Sequence, residues 1–600
     1  MTDEAPTLSG PAGERYQADV PDTLDLAHRM QLAVHALTHV WLPDEKWALA
    51  FNVDFSRRPP VLFCNHEMDA YLNIPPKFLE ALLTCRLASG ATERIEVDTA
   101  VLRAQLALLG EDGLTYCPAD GLPRLPGPRN YSEVWAEGRT LLYLAMLAQV
   151  DPDPRWREIG RRKAERLLSF TARKEDFRFL PTSRFLPGHR LTDDVREPAP
   201  VAGTDGSPDW DAAFAMIYSI GALGHGAGLF ARVTGCEPAL DLAGGLARWA
   251  VARMFRNEDG RYDFWHTHHG LYALIAVCEY AVAAGDRGLL ERVDACFRWM
   301  REMGDPLTGF YTEAMPGTTM YLQHWGNTVE ICEVADMVLL ALYLTREGVG
   351  DYWDDVDRWV RNLYAQGQIT DAEAVHALPE RYINPVPRTN PYMDTDGVAE
   401  KSVGAFLGWM RANEGLFRIL EENPPRLFES AIMHCCTANG ARTLYYVWDA
   451  MLQRRDGRAT VHLLLNRASP WLDVESFLPV EGRVVLRIKQ AGSVAVRIPE
   501  WCEPAAVHVA GAGDRTPRAA GRYLHLDGLA PGQCVTLTLP VPRRTVHRVL
   551  GEIPYKLELC GSTVTDIEPT GEVLPLFTRP PSGRTIRRAR FIPARRDLIW

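Results

Sequence analysis

The sequence lacks several features that would fix its class at once. Its first residues, Met1-Thr2-Asp3-Glu4-Ala5-Pro6, carry neither a basic stretch nor an apolar run. A secretory leader is therefore not expected, and the expected setting is the cytoplasm, with reduced thiols. Positive charge is in short supply, with 65 Lys and Arg against 77 Asp and Glu and a formal net charge of −12. That balance excludes a phosphate-rich nucleic-acid partner. The local exception is a tail in which seven arginines fall between positions 579 and 596. Long uncharged stretches are scarce too. One spans 212–231, but it contains Ser219, Gly221, Gly224, His225, Gly226 and Gly228, and reads as a helix buried on all sides rather than a membrane span. No composition is extreme: 46% of residues are hydrophobic, 24% charged, with 47 Gly and 42 Pro in 600. Disorder, collagen-like repeats and coiled coil are excluded as the main architecture, and a chain this long buries a large core without disulfide staples. Most of the 12 cysteines lie in apolar surroundings and read as small core residues.

Between about 24 and 452 the apolar spacing is helical, and a repeat emerges. Arg248-Trp249, Arg298-Trp299 and Arg358-Trp359 recur at intervals of 50 and 60 residues. Each pair closes an amphipathic segment that follows a glycine-containing turn, and each turn follows an apolar helix. Trp156 marks a weaker copy. One helical hairpin per repeat, apolar helix then amphipathic helix, fits an α/α toroid with buried inner and half-wet outer helices. An open solenoid is the alternative; the long loops at 308–327 and 369–394 favour the closed form. Beyond 452, short runs of period two such as Val484-Val485-Leu486-Arg487-Ile488 and Val535-Thr536-Leu537-Thr538-Leu539 are separated by turns. They predict an antiparallel β-sandwich. The expected division is an N-terminal tail at 1–20, an α/α-barrel at 21–455, a β domain at 456–568 and an Arg-rich tail at 569–600.

Two separated segments supply one carboxylate and three thiols: Glu330-Ile331-Cys332, and Cys435-Cys436 within His434-Cys435-Cys436-Thr437-Ala438-Asn439-Gly440-Ala441-Arg442. That is the number and type of ligands a tetrahedral zinc ion takes, although the spacing is not a zinc finger's. Adjacent cysteines would both ligate only from an irregular backbone, because neighbouring side chains diverge on helices and strands. Buried free thiols are the competing reading. His266, His268 and His269 form another cluster, in which His266 and His269 would share a helix face. They read either as a second metal site or as hydrogen-bonded histidines, and Glu313 by itself as a surface residue.

Glu-x-Cys, followed far downstream by Cys-Cys-x-x-Asn-x-x-Arg, resembles the β-L-arabinofuranosidase family of glycoside hydrolases, family 127. The Trp265-His266-Thr267-His268-His269 and Tyr382-Ile383-Asn384-Pro385 segments, and Arg497-Ile498-Pro499-Glu500-Trp501 in the β domain, are similar to further segments of that family. The resemblance runs from about 130 to 577. It implies Zn²⁺ held by Glu330, Cys332, Cys435 and Cys436, with Cys435 also the nucleophile of a retaining reaction. It implies Glu313 as acid/base, and His266, His269 and Tyr382 as sugar contacts. Two departures stand out. Gly138-Arg139 replaces the family's Gly-His, and Gly221 stands where its Tyr-x-x-His pattern, beginning here at Tyr218, ends in histidine. The same reaction centre with a different sugar pocket is expected. Arg139 either pairs with a carboxylate on an acidic sugar or with a neighbouring Asp or Glu.

The leading expectation is thus a zinc-thiolate retaining glycosidase acting on a small glycoside or oligosaccharide, without nucleic-acid or membrane partners. A homodimer stays open, because a β domain leaves strand edges. The alternatives are a sugar epimerase or lyase with His266 and His269 as bases, which would work without Cys435, and a decayed carbohydrate-binding protein.

Overall fold

The computed structural model describes residues 8–64, 68–120, 130–192, 195–198, 216, 219–256, 260–262, 264, 266–315, 325–389, 392–419, 426–513, 516–578, 582–594 and 597–600. Tyr218 and Trp265 lie outside them, as do Arg579, Arg595 and Arg596 of the tail.

The main helices among the described residues fill the first three quarters of the chain. They are α1 (Leu26–Thr38), α2 (Ile74–Ser89), α3 (Glu96–Ala107), α4 (Val134–Val150), α5 (Arg155–Leu168), α6 (His225–Thr234), α7 (Glu237–Arg253), α8 (Thr267–Ala284), α9 (Arg287–Met303), α10 (Ile331–Arg346), α11 (Trp353–Trp359) and α12 (His434–Ala450). The even-numbered helices pack in sequence, α2 on α4, then α6, α8, α10 and α12, and α12 returns to α2. The ring is closed, which excludes the open solenoid. The odd-numbered helices lie outside it.

Composition explains the two layers. Helix α10 is buried along its length from Ile331 to Leu344, and α8 nearly so from Thr267 to Ala281. In α5 and α9 only one face is buried, the rest being charged. The tryptophans of the repeat, Trp156, Trp249, Trp299 and Trp359, fall on the outer helices α5, α7, α9 and α11, and all but Trp299 are fully buried. Glycine lets the inner layer close tightly where α4 meets α6. A Cβ at Gly226 would stand 1.9 Å from the Gly138 carbonyl oxygen, and one at Gly138 would meet the backbone of Ala222 at 2.3 Å. π-helical turns at Asp69–Asn73 and Ser219–Gly224 lead into α2 and α6.

The C-terminal quarter forms sheets. With β1 as Gly13–Pro21, the later strands are β2 (Leu452–Arg455), β3 (Arg458–Val461), β4 (Leu472–Ser476), β5 (Arg483–Ile488), β6 (Gly492–Arg497), β7 (His508–Ala510), β8 (Arg518–Ala520), β9 (Tyr523–Leu529), β10 (Cys534–Thr538), β11 (Arg543–Leu550), β12 (Ile553–Cys560), β13 (Thr563–Glu568) and β14 (Thr585–Pro593). One sheet has the order β2-β3-β6-β9-β8, a second β4-β5-β10-β7, and a third β11-β12-β13. The expectation of purely antiparallel pairing is corrected at one place, since β3 and β6 run parallel. The connection between them passes through β4 and β5 of the other sheet, a crossover that alternation of apolar residues does not encode.

The two ends of the chain, expected as tails, pair instead as the antiparallel ribbon β1–β14, with Gly13 opposite Pro593 and Pro21 opposite Thr585. The arginines there are used in ion pairs: Arg584 to Asp22 at 3.0 Å, Arg587 to Asp19 at 3.4 Å, Arg588 to Asp25 at 3.3 Å. At the very end Trp600 stacks on Tyr446 of α12 at 4.8 Å and donates to Asp449, closing the end of the ring where the inner helices α10 and α12 finish. The β sheets hold the toroid through α11 and the turn after it. Arg497 of β6 reaches Asp354 at 2.7 Å, and Asn362 exchanges hydrogen bonds with Ser562 and Val564 at 3.0 and 2.8 Å. No helix among the described residues is long and apolar enough to cross a membrane.

Candidate active site

The chemistry-bearing residues gather at the opposite end of the ring, where α8, α10 and α12 begin. Short strands deliver them there. Val329–Glu330 pairs with Trp409–Met410, so that Glu330 becomes the N-cap of α10 with Cys332 in its first turn. Ile432–Met433 pairs with Asn52–Asp54 and leads directly into His434, Cys435 and Cys436 of α12. The Thr267 and Glu313 amides are tied to the Glu313 and Thr328 carbonyls at 3.0 Å each, fixing Glu313 beside the start of α8.

One ligand atom from each of Glu330, Cys332, Cys435 and Cys436 lies within 4.8 Å of the others. The Cys436 thiol donates to Glu330 Oε1 at 2.9 Å, and Cys435 Sγ stands 3.7 Å from Cys436 Sγ and 4.0 Å from Glu330 Oε1. The expected irregular backbone at Cys435-Cys436 is corrected: both belong to the regular first turn of α12. Side chains on a helix tilt towards its N-terminus, so in the first turn adjacent thiols lean out over the open end and meet there. Cys332, Cys436 and Glu330 are fully buried, whereas Cys435 is partly exposed.

Four acidic donors so close compete for charge. Burial first, then Cys332 and Glu313, hold the Glu330 carboxyl well above the usual carboxylate range. Burial and the Cys435 thiol push Cys332 up to about 12, and burial with the neighbouring thiols pushes Cys436 up as well. Hydrogen bonding with Cys332 and Cys436 holds Cys435 down at about 5, against burial. Three donors forced towards protonation around one thiolate form a set short of a cation, and two helix N-termini add only part of the missing positive charge. One carboxylate and three thiolates are the donor chemistry of zinc, so the residues fit that ion.

Beside this set His266 Nε2 lies 2.8 Å from Glu313 Oε1 and 3.9 Å from Glu330 Oε2. Burial would lower the His266 pKa, but the charge and hydrogen bond of Glu313 outweigh it and raise it to about 9. Glu313 is not a surface residue: it is buried, and His266 brings its carboxyl below the ordinary value despite that burial. Glu333 accepts from the Glu330 amide at 3.1 Å, completing a capping box. The three histidines do not act as one ligand group. His269 stacks on His266 with centroids 4.1 Å apart, while His268 turns to Asp336 at 2.6 Å.

Arg139 is buried on α4 and its three guanidinium nitrogens have no hydrogen-bond partner; the neighbouring Asp or Glu foreseen as one alternative is not there among the described residues. Its carbon lies 4.8 Å from the Trp135 ring centre and 5.7 Å from that of Tyr272. Tyr382 is engaged elsewhere: its hydroxyl donates to Glu572 at 2.6 Å and accepts from Arg418 at 2.9 Å. The motif's Arg442 is structural, bonded to Glu80 of α2 at 3.1 Å, with Tyr446 on the same carboxylate. Sequence reasoning missed Lys77, Glu333 and Asp336. Lys77 is buried on α2 with no partner for its ammonium among the described residues, and burial, then Arg139, holds it down at about 8. Glu333 carried a usable signal, its three-residue offset from Glu330. Lys77 carried none.

No family model matches the sequence, and no curated protein matches it. Solved structures do match in fold. A GH127 β-arabinofuranosidase superposes with a TM-score of 0.56 at 13% identity, over 91% of this chain and 85% of its own. Another glycoside hydrolase gives 0.54 at 13% identity, over 88% and 84%. The GH127 β-L-arabinofuranosidase from Geobacillus stearothermophilus T6 gives 0.50 at 15% identity, over 90% and 80%. The chain has the fold of the GH127 β-arabinofuranosidases.

Proposed function

We propose that this protein is a carbohydrate-active enzyme, a retaining glycoside hydrolase whose nucleophile is the Cys435 thiolate. The observation that carries the reading is the cluster of Glu330, Cys332, Cys435 and Cys436 within 4.8 Å at two helix N-termini, with only Cys435 partly exposed. The fold shared with β-arabinofuranosidases supports a β-L-arabinofuranose-like or related sugar on a small glycoside or oligosaccharide.

Glu330, Cys332, Cys435 and Cys436 would hold a zinc ion, which keeps the thiols ionised at neutral pH. The chain's own residues then divide the work. Cys435 Sγ attacks the anomeric carbon as the bond to the leaving oxygen breaks, giving a thioglycosyl enzyme. The proton of the pair rests on His266, which passes it across the 2.8 Å contact to Glu313 as Glu313 protonates the leaving oxygen. Glu313, now unprotonated, takes a proton from the water that attacks the anomeric carbon, and Cys435 leaves as thiolate. Two inversions give net retention. The stacked His269 holds the His266 ring in place against Glu313.

The test is a panel of pentofuranosides, hexosides and uronides assayed with wild type, Glu313→Gln and Cys435→Ala. Wild type is expected to turn over at least one substrate. Glu313→Gln, given a substrate with a good leaving group, is expected to accumulate a glycosyl adduct on the Cys435 peptide, seen by mass spectrometry. Cys435→Ala is expected to lose both adduct and turnover. Turnover that survives in Cys435→Ala would overturn the reading and favour the epimerase alternative.

A further inference from the structure

Among the described residues, Arg139 and Lys77 are buried to 3% and 1% exposure, and none of their side-chain nitrogens has a hydrogen-bond partner. An unpaired charge in a protein interior is costly, so such groups are ordinarily paired or neutralised. The other interior cation nearby, Arg442, obeys the rule through Glu80. The carboxylates of the site are engaged with other partners. Asp336 is bonded to His268 at 2.6 Å, Glu313 to His266, and Glu330 to Cys436. What the guanidinium touches is aromatic: the Trp135 and Tyr272 rings, which orient its plane and leave its five N–H donors unspent.

Its position relates it to the reacting groups. The Trp135 ring that carries Arg139 packs edge-on against His269 at 5.4 Å, His269 stacks on His266 at 4.1 Å, and His266 bonds Glu313. Trp135 and His269 thus link Arg139 to the acid–base pair through successive ring contacts. A planar, permanently charged fork is the group that pairs with a carboxylate through two parallel hydrogen bonds.

We infer that the sugar this site takes is a uronic acid, its carboxylate received by the Arg139 guanidinium. The inference rests on the proposed hydrolase reading for the fate of the bound sugar, but not for binding itself, so the two can fail separately.

The experiment measures binding calorimetrically to the zinc-loaded full chain. The probes are D-glucuronate, D-galacturonate, D-mannuronate and L-iduronate, each against its neutral hexose, with acetate as a bare anion. At least one uronate is expected to bind roughly 10- to 100-fold more tightly than its hexose, the range for a charge-assisted pair. That preference is expected to vanish in Arg139→Gln while zinc content stays at the wild-type level, and to be partly restored in Arg139→Lys. If no uronate outbinds its hexose, or if acetate binds as tightly as the best uronate, the inference is overturned. It is also overturned if Arg139→Gln keeps the preference or loses zinc instead, which would make Arg139 a counter-charge for the thiolates. Uronate preference with no turnover of any glycoside would leave the inference standing and count against the hydrolase reading. Turnover of neutral glycosides with no uronate preference in binding would do the reverse.

Discussion

A thiol in the first turn of a helix is placed where its anion is favoured, and α12 puts two there, Cys435 and Cys436, opposite a third in the first turn of α10. The exposed member of the trio is the one whose pKa falls, to about 5, because hydrogen bonding with Cys332 and Cys436 favours its anion. The proposed division of labour between nucleophile and supporting ligands thus rests on exposure and hydrogen bonding at single residues. Outside the site, burial acts the same way on His462. It stacks on Trp353 at 4.4 Å, bonds the Tyr523 hydroxyl at 2.8 Å, and is held neutral down to about pH 3, by burial first and then Arg497 and Arg455. The unfolded chain protonates this histidine near 6.5, so between about 6.5 and 3 unfolding takes up a proton that the folded state refuses. Stability is expected to fall as pH drops through that window, by up to about 1.4 kcal/mol per unit for this one group. Urea denaturation of wild type and His462→Gln from pH 7 to 5 checks it. The variant, less stable at pH 7, should lose less on acidification; parallel curves would remove His462 from the account.

At the level of elements, the site depends on inner helices packed side by side with their first turns at one end, and between α4 and α6 that packing depends on glycine. With a Gly226 Cβ 1.9 Å from the Gly138 carbonyl, α4 and α6 cannot keep their present approach if either glycine gains a side chain. Gly226→Ala is expected to cost roughly 1–3 kcal/mol, the range for overpacking a close contact, and to disturb Arg139, one residue on from Gly138. A thermal melt of the variant tests this, and an unchanged melting temperature would contradict it. The alternation of inner and outer helices was legible in the sequence, because Trp156, Trp249 and Trp359 mark amphipathic segments that need one neighbour. The closure of the ring was not, since α12 and α2 meet across more than 300 residues of intervening chain. The parallel β3–β6 pair escaped for a related reason: alternation says that a strand is half-buried, not which strand lies beside it.

The whole molecule is a ring with its reactive end at the starts of α8, α10 and α12, its other end closed by Trp600, and its termini joined in one ribbon. Seen at this scale, the arginine-rich tail loses its oddity, because Arg584, Arg587 and Arg588 answer Asp22, Asp19 and Asp25 across the ribbon. The thiol and carboxylate set was legible because unusual residues such as Cys435-Cys436 announce themselves. For Tyr382 the motif match does not reveal where the hydroxyl points, and here it bonds Glu572. Lys77 was invisible because an ordinary lysine becomes informative only once its helix is seen to bury it. The central claim is that the ring brings four donors from two distant segments into one zinc site. Its most direct test is the metal content, by mass spectrometry of the metal, of protein purified under reducing conditions, alongside Glu330→Ala and Cys332→Ala. The account predicts about one zinc per wild-type chain and a clear loss in both variants; a wild-type chain without zinc, or variants that keep it in full, would contradict it.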